Sequence, residues 1–190
     1  MKITLAIDTS TNRTSVAVIN GESLIWSESH EGASEHTESL IKLINDAIKT
    51  RPKDMVVTMH LCRGNFEGAW VAEGGYEPVA EAMFSELDVD GFFLEYDDAR
   101  SGDFKPLRFV PKGKKRVVLG LVTSKFGTLE RADDIKRRVD EATRYADIDQ
   151  LCLSPQCGFA STHEGNLLSE EEQWTKLRLV VDVARDVWGS

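Results

Sequence analysis

His60, Cys62, Glu95 and Cys157 are the residues whose types and positions most suggest chemistry. His60 and Cys62 fall in the apolar run Met55-Val-Val-Thr-Met-His60-Leu-Cys62, which reads as a buried strand. Two residues apart on a strand, their side chains share one face. Glu95 closes a second apolar run, Gly91-Phe-Phe-Leu-Glu95-Tyr96, and Cys157 lies in the turn after a third, Gln150-Leu-Cys-Leu-Ser-Pro155. Two thiolates, an imidazole and a carboxylate form a four-ligand set that suits Zn²⁺. If the three runs are neighbouring parallel strands, all four ligands lie at their carboxyl ends, where α/β barrels carry their chemistry. Taken singly, each residue also has a structural role open to it. A strand Cys can be a small packed hydrophobe, a His a hydrogen-bonded core group, and a strand-end Glu a solvated one.

The elements that would position these residues alternate in type. Strands are expected at 55–61, 91–96, 116–122 and 150–154, with helices near 76–87, 133–146 and 169–187. Asp133 and Asp134 suit a positive helix start, and Ser169 with Glu172 three residues on makes a capping box. Four such β-then-α units amount to half of an eight-fold barrel, whose usual size is about 250 residues. Residues 1–50 have a different pattern. Three short strands precede a helix beginning near His36, whose apolar stripe is Leu40, Ile41, Leu43, Ile44, Ala47 and Ile48. Pro52 is a natural breaker after that helix, so the expected domains are residues 1–50 and 53–190.

From Met55 to Trp188 the chain resembles the C-terminal part of the cobalamin-independent methionine synthase family, especially its shorter, methionine synthase II-like members. The matching stretches are His60-Leu-Cys-Arg-Gly-Asn65, Gly74-Gly-Tyr-Glu77, Phe93-Leu-Glu95-Tyr-Asp97, Val118-Leu-Gly-Leu-Val-Thr-Ser-Lys125 and Leu153-Ser-Pro-Gln-Cys157-Gly-Phe-Ala160. The resemblance implies a half TIM barrel whose zinc is held by His60, Cys62, Glu95 and Cys157. It also implies methyl or alkyl transfer to a small thiol from a methyl donor, with Glu95 as the ligand that yields to incoming sulfur. Arg63 and Asn65, just past Cys62, are candidates to bind substrate. One departure is plain: where methionine synthases carry an Asp-Ile-His run, this chain has Thr123 at the His position.

Residues 1–50 resemble the amino terminus of a bacterial tRNA threonylcarbamoyladenosine biosynthesis subunit. The resemblance rests on Ile7-Asp8-Thr-Ser10 and on Glu35-His-Thr-Glu-Ser-Leu40. It implies a β-β-β-α unit of actin/RNase H-like type and a mosaic chain. Three functions therefore stand side by side: a zinc-dependent thiol alkyltransferase, a non-catalytic interaction module in tRNA modification, and an inert folded chimera.

Composition narrows the partners. A net charge of −9 argues against direct nucleic-acid or anionic-membrane binding. Three cysteines, an odd number with a metal role for two, suit a reducing cytoplasm. Open edges on a half-barrel would favour a homodimer. Asp97, Asp98 and Asp103 form an acidic cluster expected to be a solvated loop, Lys112-Gly-Lys-Lys-Arg116 a solvated basic loop, and His163 a loop surface group near Cys157.

Overall fold

A computed structural model describes residues 3–8, 13–31, 36–64, 69, 73–160, 163 and 165–189. Its chain contacts divide it into two compact units, residues 1–56 with 81–89, and residues 57–80 with 90–190.

In the first unit, β1 (Ile3–Asp8), β2 (Arg13–Asn20) and β3 (Ser23–Glu31) form an antiparallel meander in chain order. Gly21, at φ 62°, occupies the tight β2–β3 turn, a conformation that L side chains resist. Helix α1 (His36–Ile48) packs on β2 and β3. Its expected stripe is the buried one, with Ile41, Leu43, Ile44 and Ile48 all in the core. Asn45 ties the helix to the 86–88 segment: its amide donates to Glu86 O at 2.8 Å and its oxygen accepts from Asp88 N at 2.7 Å. A meander followed by a helix occurs in many folds, so this arrangement does not by itself define an RNase H-like unit. Nor does the unit end at residue 50, because the tail of the next helix belongs to it.

In the second unit, β4 (Thr58–Leu61), β5 (Gly91–Glu95), β6 (Arg116–Val122) and β7 (Leu151–Pro155) form a parallel sheet in sequence order. This is compatible with part of a (βα)₈ barrel. Helix α2 (Glu77–Glu86) follows β4, α3 (Ala132–Ala142) follows β6, and α4 (Glu170–Trp188) follows β7. After β5 the expected loop is built from 3₁₀ turns at Ala99–Ser101 and Lys105–Phe109. They place Phe104 and Leu107 in the core, with the Phe104 ring 4.6 Å from that of Tyr96.

The two sheet faces differ. Phe92, Leu94, Val117, Leu119 and Leu151 alternate onto a buried face, where α3 packs on β6 and α4 on β7. His60 and Phe93 lie at one register level on the opposite face and are exposed, with half-buried Val118 and Cys152 beside them. Side-chain alternation at period two thus leaves one face under helices and the other open.

Helix α4 carries the expected capping box. Ser169 Oγ accepts from Glu172 N, the Glu172 carboxylate accepts from Ser169 N, and left-handed Gly189 closes the other end. Helix α3 ends at Ala142, earlier than its pattern implies, where the Thr143 hydroxyl donates to Asp140 O at 2.7 Å. Among the described residues, no helix is long and apolar enough to cross a membrane.

Candidate metal centre

The open face and the carboxyl ends of the strands meet at one place. Here His60, Cys62 and Cys157 gather, one ligand atom from each lying within 4.8 Å of the others. Cys157 Sγ is 3.4 Å from His60 Nε2. Two ligands at about 2.0–2.3 Å from a tetrahedral metal stand roughly 3.5 Å apart, so the spacing fits a zinc-type centre. Two sulfurs and an imidazole nitrogen are also the donor types that zinc prefers.

The sulfurs already behave as a pair. Hydrogen bonds from Cys157 and His60 pull the Cys62 thiol down to about 4, whereas the Cys62 thiolate beside it pushes Cys157 up. Two touching thiols share one proton because both cannot ionise without a cation between them. A divalent ion would remove that restriction. Cys157 also accepts from the Gln156 side-chain amide at 2.7 Å.

Glu95 is placed differently. It is fully buried, and its carboxylate lies outside the set of atoms within 4.8 Å of one another. Its Oε2 accepts from Arg63 N at 2.5 Å, while Oε1 faces Arg100 Nη2 at 3.1 Å and Lys125 Nζ at 3.2 Å. Because Arg63 directly follows Cys62, one backbone step separates this carboxylate from the cluster. Tyr76 reinforces the junction: its hydroxyl donates to Leu61 O at 2.9 Å and accepts from Glu95 N at 2.8 Å.

The remaining candidates separate cleanly. The Arg63 guanidinium donates to Gly74 O and lies 4.0 Å over the Tyr76 ring, so it braces the loop rather than facing an open cleft. Asn65 lies outside the described residues. Asp97 is not solvated as expected. Its side chain is 2% exposed and pairs with Lys125 Nζ at 2.9 Å. Asp98 caps the first 3₁₀ turn and Asp103 pairs with Lys105. His163 is exposed and outside the cluster, and the 112–116 tract is largely exposed.

Lys125 and Gln156 are the site residues that sequence reasoning passed over. Both were within reach of it: Lys125 follows the apolar strand β6 and Gln156 immediately precedes a predicted ligand. Either position falls at the carboxyl end of a strand, where a polar side chain has few reasons to be buried unless it serves the site.

A parallel βα sheet compatible with part of a barrel thus carries, at its strand ends, a His/Cys cluster of the kind that could hold a metal. The chain belongs to the cobalamin-independent synthase family: the model of that family's catalytic domain matches residues 36–186. The match begins at residue 36, so it takes in α1, which the sequence pattern had assigned to the amino-terminal fragment. The uncharacterized proteins YxjG and YxjH of Bacillus subtilis are 65% and 62% identical to the chain over 147 residues, 77% of this chain and 39% of each relative. A crystal structure of a candidate vitamin-B12 independent methionine synthase from Listeria monocytogenes matches with a TM-score of 0.64 and 46% identity, over 83% of this chain and 42% of that one. A B12-independent methionine synthase from Shewanella, solved with selenomethionine, shares the fold at 20% identity and a TM-score of 0.66, over 82% of this chain and 44% of its own. The chain therefore spans about two fifths of the relatives it matches.

Proposed function

We propose that the chain forms the metal-binding part of a zinc-dependent enzyme that transfers a methyl or other alkyl group to a small thiol. The observation that carries this reading is the convergence of His60, Cys62 and Cys157 at the ends of parallel strands. Membership of the cobalamin-independent synthase family supports a methyltransferase of the methionine synthase type. Cys62 and Cys157, as thiolates, and neutral His60 would hold the zinc, with Glu95 as a fourth and weaker ligand. Zinc bound here would deprotonate an incoming thiol and hold it as a nucleophile.

The chain's own residues supply the surroundings. Arg63 N–H, Arg100 and Lys125 hold the Glu95 carboxylate beside the cluster without a metal, so to act as the labile fourth ligand it would have to exchange some of these bonds for the metal. His60, Phe93, Ser154, Pro155, Gln156, Cys157 and Gly158 line a cleft of about 330 Å³, room for a small thiol. Thr123, standing where methionine synthases carry a His, favours an acceptor other than homocysteine.

The test uses the purified full chain. Its metal content is measured first, and the zinc-loaded protein is then titrated with homocysteine or coenzyme M by calorimetry in buffers of different ionisation enthalpy. A retained zinc and a proton released on thiol binding are expected. A chain that holds no zinc, or zinc that takes a thiol without proton release, would end this reading.

A further inference from the structure

Lys125 is 3% exposed, and its ammonium reaches three acceptors at the strand ends. Nζ lies 3.2 Å from Glu95 Oε1, 2.9 Å from Asp97 Oδ2 and 2.9 Å from Gln156 Oε1. An ammonium offers donors only, so the Gln156 amide must turn its carbonyl toward Lys125. That choice directs the amide nitrogen to Cys157 Sγ, 2.7 Å away. The backbone keeps the amide in place, because Gln156 is 2% exposed and its N–H donates to Val122 O at 2.8 Å. Gly120 makes room for it: a Cβ there would stand 2.9 Å from Gln156 Cα and 2.8 Å from Leu94 O.

We propose that Lys125, acting through Gln156, is a positioning residue that keeps Cys157 a spectator by aiming an N–H donor at its sulfur. Its purpose rests on the alkyl transfer proposed above. A site holding several sulfurs near one alkyl donor has to select which of them reacts. If Cys157 reacted, its sulfur would form the new S–C bond as the donor's carbon–leaving-group bond broke and the leaving group departed with the electron pair. The resulting thioether would carry no charge with which to hold a metal. A hydrogen bond to the sulfur draws electron density from its lone pair and slows that attack. Because Gln156 is engaged with Cys157, the substrate sulfur does not receive this bond and remains the better nucleophile. Cys62 has a comparable donor in the Gly64 backbone N–H.

The experiment alkylates the zinc-loaded full chain with iodoacetamide and follows each cysteine by mass spectrometry, with Cys152 as internal reference. Gln156→Leu should speed Cys157 relative to Cys152 by about tenfold, the scale of losing one hydrogen bond to a charged acceptor. Lys125→Met should act in the same direction by freeing the amide to turn over, and Lys125→Arg, again a pure donor, should restore the wild-type ratio. In the cobalt(II)-loaded protein, Gln156→Leu should also displace the sulfur-to-metal charge-transfer band, which a loss of packing alone would not do. An unchanged Cys157-to-Cys152 ratio in folded, zinc-loaded Gln156→Leu overturns the proposal, and this variant decides if Lys125→Met does not fold. If wild-type protein retains no zinc, the alkyl-transfer reading fails separately and the relay is judged by NMR. Gln156 side-chain amide protons whose shifts change and whose exchange with solvent quickens in Lys125→Met support the relay; amide protons insensitive to that change refute it.

Discussion

Cys157 Sγ lies 3.4 Å from His60 Nε2, although 97 positions separate the two residues and their strands are the first and fourth of the sheet. In a flat sheet, three inter-strand steps of about 4.8 Å would hold such strands roughly 14 Å apart. The ladder alone does not make this contact: Cys157 lies beyond β7, and the turn there brings it back across the strand ends to His60.

Metal binding should depend on pH with a definite sign. Cys62, drawn down to about 4, is a thiolate at neutral pH, whereas Cys157 is raised and carries the shared proton. A metal must displace that proton, so affinity falls as pH falls and rises as pH rises. Between about pH 7 and pH 8 the gain should be roughly tenfold, one proton per metal. Competition with a chromophoric chelator measures it, and a flat profile would remove Cys157 from the ligand set.

Cys157→Ser should abolish zinc retention, because a serine hydroxyl stays protonated and is a poor ligand for a borderline-soft ion. Glu95→Gln should weaken zinc binding by only about tenfold, within the range seen when a supporting group is lost. It should also lower fold stability, since Arg100 and Lys125 lose a buried counter-charge. Zinc content by mass spectrometry and thermal melts separate the two effects. Equal zinc loss in both variants would contradict this ranking.

Lys176 should prove costly to truncate. Its ammonium, on α4, is fully buried, bonding Thr128 O at 2.6 Å and Glu130 Oε2 at 2.8 Å, while Glu130 Oε1 accepts from Thr123 N at 2.8 Å. Lys176→Ala leaves Glu130 without its cation and releases the segment leading from Lys125. A loss of about 3–5 kcal/mol is expected, read from urea unfolding.

Tyr76→Phe tests the clasp between β4 and β5. The hydroxyl donates to Leu61 O and accepts from Glu95 N, and both lose that contact when it goes. Stability should fall by about 1–3 kcal/mol, the cost of leaving buried polar groups unpaired. Hydrogen exchange should quicken first at Glu95 N–H, which would localise the loss.

How much of this was legible in the chain follows from the range of the forces involved. The strands and helices could be read because period-two and period-3.6 apolar spacing is a local property, and the Ser169–Glu172 capping box needs only four consecutive residues. His60, Cys62 and Cys157 could be singled out because ligand chemistry belongs to residue type and their strand-end positions to local pattern. What lay beyond sequence was set by contacts between distant segments. The approach of Cys157 to His60, the cations that hold Glu95, and the burial of Asp97 all depend on which side chains meet across strands. Lys125 illustrates the limit. In sequence it is an ordinary cation after a strand, and only tertiary packing, by surrounding its ammonium with Glu95, Asp97 and Gln156, gives it a place in the site.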